Sequence, residues 1–122
     1  MNRRVLIPAE DREGKVVANH FGRAPFFVLY EIDDSNNILA ETVHENTGSH
    51  QGGRGHAHDN VLSLNPHVVI VRGMGPRGIR SLQDARVAVL KANNIDPKAL
   101  IDAYVNGNLT ELTDGCSDAH HK

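Results

Sequence analysis

Apolar residues come in short runs along this chain, and their spacing changes past the middle. Val5-Leu6-Ile7 is a brief apolar run and predicts a first strand that Pro8 stops. Residues 9–15 are charged, contain Gly14 and read as a loop. Phe26-Phe27-Val28-Leu29-Tyr30-Glu31-Ile32 is aromatic and branched, and predicts a second strand. Asp33-Asp34-Ser35-Asn36-Asn37 is a dense turn signal. Ile38 to His44 resumes as a third strand, which makes strands two and three an antiparallel hairpin. Asn46 to Gly55, rich in Gly, Ser and His, reads as a loop.

Beyond that loop the period lengthens. Ala57, Val61 and Leu64 recur at i, i+4, i+7 and predict a short helix that Pro66 ends. His67-Val68-Val69-Ile70-Val71 is a continuous branched run, the mark of a strand covered on both faces in a parallel arrangement. Gly73 to Gly78 predicts a turn, and Ile79 and Leu82 anchor a second helix. Val87-Ala88-Val89-Leu90 is a further buried strand. Asp96-Pro97 is the pattern of an N-cap followed by proline at the first helical position. Leu100, Ile101, Tyr104 and Val105 give the third helix its apolar face, and Gly107 ends it. A hairpin half is thus followed by a β-α-β-α half. Right-handed crossovers then place helices over a mixed sheet. The expectation is a single compact α/β domain over residues 1–112, with a mixed five-stranded sheet and three helices. Residues 113–122 are polar and read as a disordered tail.

Composition narrows the class. With 122 residues the chain has the size of one domain. No apolar run nears the ~20 residues needed to cross a membrane. The first run is also shorter than the ~7–15 residues of a signal-peptide core, so the expectation is a cytoplasmic protein with no membrane partner. The formal net charge of −2 argues against a nucleic-acid partner, which calls for a strongly basic face. The single cysteine, Cys116, leaves no internal disulfide and no CxxC knuckle. Eight histidines are the compositional oddity, since imidazole binds metals and titrates near neutrality.

Two segments carry candidate chemistry. Gly73-Met74-Gly75-Pro76-Arg77-Gly78 matches GxGxxG between a strand and a helix. Glycines allow close backbone approach, and the helix start favours an anion. Arg72, Arg77 and Arg80 add positive charge, while Pro76 removes one N–H donor. A dinucleotide fingerprint belongs to the first βα turn, and here the motif lies past the middle. A glycine turn that only packs helix on strand stands beside the anion reading. His20-Phe21-Gly22-Arg23 precedes strand two, and its His20 and Arg23 suit an anion approached from one side. His50, His56 and His58 in the central loop are weak metal candidates, because zinc takes three or four fixed ligands and the spacing does not supply them. Cys116, His120 and His121 in the tail are weaker still. Glu10, Asp11, Glu31, Asp33 and Asp34 have no evident common focus for two-metal catalysis. No Ser-His-Asp or Cys-His constellation is present, so the chain reads as a binder of an anion rather than an enzyme.

Taken together, several segments resemble the dinitrogenase iron–molybdenum cofactor biosynthesis family, which includes orange-protein-like cluster carriers. The carrying residues are His20-Phe21-Gly22-Arg23-Ala24-Pro25-Phe26-Phe27, Glu45-Asn46 with the glycine- and histidine-rich loop, Val68 to Gly75, and Tyr104 to Leu109. The resemblance spans roughly residues 4–112. It implies a ribonuclease-H-like fold and a non-catalytic carrier or scaffold for an anionic metal–sulfur cluster. That cluster is molybdenum-containing, either a molybdenum–copper sulfide or a nitrogenase cofactor precursor. On this reading His20, Phe21, Gly22, Arg23, His50, His56, Arg72, Gly73, Met74, Gly75 and Arg77 line the cluster site. No cysteine lies near, so the cluster is held non-covalently. A cluster-donor or acceptor protein is the expected partner, and the chain is a monomer or a weak homodimer through the hairpin's sheet edge. Asp84-Ala85-Arg86 departs from the family pattern, where an Ala-Gly-Ile-like stretch is common. A regulatory interaction module and, behind it, a ribonuclease-H-like nuclease are the alternatives.

Overall fold

The first apolar run of the chain becomes a central strand. Val5, Leu6 and Ile7 are fully buried in β1 (Arg3–Ala9), with Leu6 in one core layer and Val5 and Ile7 in the other. The computed structural model describes residues 2–46 and 61–112. In these residues β2 (Phe26–Ile32) and β3 (Ile38–Glu45) follow as an antiparallel hairpin, and β2 pairs antiparallel with β1. β4 (Val68–Val71) and β5 (Ala88–Lys91) add parallel strands on the other side of β1. Helix α1 (Pro76–Asp84) links β4 to β5, and α2 (Pro97–Val105) leads to β6 (Thr110–Glu111). The sheet order is β3-β2-β1-β4-β5-β6. Leu82 of α1 packs into one core layer, and Leu100 and Ile101 of α2 pack into the other. The helices therefore cover opposite faces, as burial of both sides of β1 and β4 requires.

The sheet has six strands rather than the expected five. β6 is two exposed residues, too short to carry an alternating pattern, and it pairs antiparallel with the end of β5. A second correction concerns Pro8, which does not stop β1; pairing with β2 runs on to Ala9 and Phe26. In an extended strand the N and O of one residue point to the same side. The Pro8 carbonyl accepts from Ala18 N–H at 2.8 Å, so the missing N–H of Pro8 also faces away from β2. The antiparallel ladder needs nothing from it. The parallel ladder to β4 ends three residues earlier, at Leu6 and Val69. A third correction is Gly78, which lies inside α1 rather than in the turn before it.

Local signals at the helix ends act as expected. Asp96 caps α2 by accepting from Lys98 N–H at 3.1 Å, with Pro97 at the first position. Gly107 has φ +72°, its N–H bonds Tyr104 C=O, and Asn108 N–H bonds Ala103 C=O, which is the Schellman pattern. α1 ends in the same pattern, with Arg86 N–H on Gln83 C=O and Val87 N–H on Leu82 C=O. There the left-handed position is held by Arg86 at φ 66°. Residues 61–63 are helical, Val61 is buried, and the chain turns out through Asn65 at φ 54° before Pro66. Ala57 and the disordered-tail expectation for 113–122 lie outside the described residues. Among the described residues no helix is long and apolar enough to cross a membrane.

Candidate functional site

β1, β4 and β5 run parallel, so their carboxyl ends share one edge of the sheet; the antiparallel β2 begins there and β3 ends there. Open α/β sheets bind ligands in the crevice outside the carboxyl ends of their strands. Both sequence candidates arrive at this edge. Residues 72–75 leave β4, and residues 20–23 precede β2.

The two segments touch through backbone. Phe21 N–H donates to Gly73 C=O at 3.1 Å. A Cβ on Gly73 would stand 2.9 Å from the Asn19 carbonyl oxygen, so glycine is what permits the approach. Phe21 turns its ring into the core, 4% exposed, with its centroid 5.7 Å from that of Phe27. That ring anchors a 3-10 helix, Phe21–Arg23, whose own bonds are long: Arg23 N–H to His20 C=O and Ala24 N–H to Phe21 C=O, both 3.3 Å. His20 and Arg23 on either side of the anchor are exposed, and Gly22 is half-buried. Phe21 therefore serves the site through its backbone and as the anchor of the turn.

Across from it, Gly75 is the N-cap of α1 with φ −69° and ψ 160°, and no side chain caps the helix. The first helical bond is Ile79 N–H to Gly75 C=O at 3.1 Å, so the N–H groups of Arg77 and Gly78 precede the helical ladder. Pro76 contributes none. Among the described residues nothing lies within 4 Å of a Cβ built on Gly75, so none of them blocks the approach to these donors. Arg72, Arg77 and Arg80 are exposed around this turn. Met74 is partly buried against the core, and a Cβ on Gly78 would meet its Cγ at 2.9 Å, so Gly78 makes room for Met74 rather than for a ligand.

Charge is segregated across the sheet, which the net charge hides. Residues 26–46 hold five acidic residues and no Lys or Arg, whereas residues 61–92 hold five basic residues and one acidic residue. The sheet order sets these groups on opposite sides of β1. An anion at this edge is therefore favoured on the β4–α1 side.

Among the described residues the carboxylates do not assemble a two-metal centre. Asp11 accepts from Lys15 and Val16 N–H groups in the loop after β1. Asp33 accepts from Ser35 and Asn37 N–H groups in the hairpin turn, at the opposite edge of the sheet. Among the described residues no group of three or more His, Cys, Asp or Glu is placed to hold a metal ion. The structure thus gathers His20, Phe21, Gly22, Arg23, Arg72, Gly73, Met74, Gly75 and Arg77 on one edge. His50, His56, His58, Cys116, His120 and His121 lie outside the described residues. Sequence reasoning missed the part of Asn19, which enters by its carbonyl and leaves no side-chain signal.

The dinitrogenase iron-molybdenum cofactor family model matches residues 3–107. Among solved structures, the apo form of the orange protein from Desulfovibrio gigas superposes with a TM-score of 0.76 at 21% identity, covering 90% of this chain and 92% of that one. A Methanocaldococcus jannaschii protein described as a candidate dinitrogenase gives 0.74 at 16% identity, covering 92% and 96%. A Thermotoga protein described as a candidate NifB gives 0.65 at 25% identity, covering 91% and 94%. No curated protein matches the sequence. The match over residues 3–107 covers most of the chain, which belongs to the dinitrogenase iron-molybdenum cofactor family.

Proposed function

We propose that this protein is a non-catalytic carrier that holds an anionic metal–sulfur cluster at the carboxyl edge of its sheet. The observation that carries the reading is the backbone contact of Phe21 with Gly73, which sets His20 and Arg23 beside the open, arginine-flanked start of α1. A thiometalate cargo is bulky, soft and multiply negative. It calls above all for positive charge and N–H donors, and these residues supply both. Charge-assisted hydrogen bonds are roughly twice as strong as neutral ones, so such a site holds its cargo without covalent ligation. Holding of this kind is reversible, which suits delivery to an acceptor protein.

The cargo we assign is molybdenum-containing, a molybdenum–copper sulfide or a nitrogenase cofactor precursor. Support comes from the family and from the likeness of fold to the orange protein. The ribonuclease-H-like fold assignment, the domain extent of residues 1–112 and a cytoplasmic setting belong to the same reading.

The test is reconstitution with tetrathiomolybdate and Cu(I), followed by desalting, metal analysis and visible spectroscopy. Wild type is expected to retain molybdenum and colour, and His20→Ala with Arg72→Ala to release both. Retention of no cluster by wild type refutes the carrier. Undiminished retention by the double variant refutes the site.

A further inference from the structure

Asn46 stands apart as the polar residue buried among the described residues, at 1% exposure. Its carboxamide Nδ2–H donates to Ala24 C=O at 2.8 Å, and its backbone N–H donates to Pro25 C=O at 2.9 Å. Two successive carbonyls at the exit of the 3-10 helix are thus satisfied by one residue at the end of β3. A buried carbonyl left without a donor is costly, so this arrangement is selective for a side chain that donates. Aspartate, the same size, does not donate when ionised.

The position matters because the 3-10 helix does not hold itself. It is one turn long and its bonds are poor, as short 3-10 segments generally are. Its place is fixed from outside, by Gly73 on the entry side, by the Phe21 ring beneath, and by Asn46 on the exit side. We propose that Asn46 is a positioning residue of the anion site: it presses the His20–Arg23 turn against the glycine turn without touching the ligand. The proposal rests on the carrier reading for what the site binds, but its geometric content does not.

Amide hydrogen exchange on the ligand-free protein tests the geometry. In Asn46→Ala and Asn46→Asp, the Phe21 and Ala24 amides are expected to exchange about tenfold faster, while Val89 in β5 keeps its rate, as local opening implies. Ile101→Ala, in the opposite core layer, serves as the control for general destabilisation. Unchanged Phe21 and Ala24 rates, or equal acceleration of every amide, overturn the proposal. Titration with tetrathiomolybdate then reads the consequence: weaker binding is expected in both Asn46 variants and unchanged binding in Ile101→Ala. Wild-type affinity in the Asn46 variants also overturns it. If wild type binds no tetrathiomolybdate, the carrier reading fails, and the exchange pattern still decides the role of Asn46.

Discussion

Replacing Gly75 by serine should move stability and binding in opposite directions. Gly75 has the extended backbone of an N-cap, and a Cβ there meets nothing within 4 Å, so serine fits without strain. Its hydroxyl then accepts from Arg77 or Gly78 N–H, which no side chain caps in the wild type. Serine exceeds glycine at an N-cap by only a few tenths of a kcal/mol. The denaturation midpoint should rise by a correspondingly small amount. On the proposed function, the same donors are the ones offered to the anionic cargo. Losing one hydrogen bond to a charged group costs about 1.5–3 kcal/mol, which is roughly a ten- to hundredfold loss of affinity. Gly75→Ala is the control, since it adds the carbon without the acceptor. Chemical denaturation and tetrathiomolybdate titration read the two effects separately. Wild-type affinity in the serine variant, accompanied by the stability gain, would refute the assignment of these N–H groups to the site. A serine variant that loses affinity no more than the alanine variant assigns the effect to bulk.

Other outcomes follow from the packing. The Tyr30 hydroxyl is buried near the Glu41 and Asp96 carboxylates, and burial foremost, then these charges, pushes its pKa up; none of the described residues, Glu41 included, meets it in hydrogen-bonding geometry. Tyr30→Phe should therefore raise stability by about 1 kcal/mol in urea melts, and an equal loss would contradict the orphaned hydroxyl. Arg86→Gly relieves a left-handed residue at the end of α1 and should stabilise by about 0.5–1 kcal/mol after the unfolded-state entropy of glycine is subtracted; a lower melting temperature would count against it. Asp33 is held below its ordinary value of 3.8, foremost by Asn37 N–H, then by the Asn37 side chain, Ser35 N–H and the Arg3 guanidinium. A depressed carboxyl pKa stabilises above the unfolded value and loses that contribution as pH falls through the folded one. The stability gap between wild type and Asp33→Ala should therefore be flat above about pH 5 and close on acidification below it; a gap that widens in acid contradicts this.

The elements most readable from sequence were those whose residues act locally. Asp96-Pro97 and Gly107 mark both ends of α2 because a cap and a left-handed glycine are decided within one turn of chain. The run from Val68 to Val71 is buried on both sides, and composition alone carries that. Pro8 misled because a proline's effect depends on which neighbour its nitrogen faces, and that is a property of the sheet. β6 was invisible because two exposed residues have no period. At the site, the glycines and arginines suggest an anion, but their union with His20–Arg23 rests on the Phe21 amide and on the close approach of the Asn19 carbonyl to Gly73. Backbone groups are the same at every residue, so no spacing rule exposes them.

Pro8 also gives the binding edge its room. Because β1 and β4 stop zipping at Leu6 and Val69, the space beyond is filled by the returning segment, whose Val17 bridges Ala9 and whose Ala18 takes the Pro8 carbonyl. The next residue, Asn19, sets its carbonyl against Gly73, and His20 follows at the edge. One absent hydrogen atom in the middle of the sheet acts as a wedge. A residue with an N–H at position 8 offers the strands a longer seam, competing with the loop for the gap in which the ligand-facing turn is seated. On the proposed function, selection at this buried position would then answer to cargo as well as to folding.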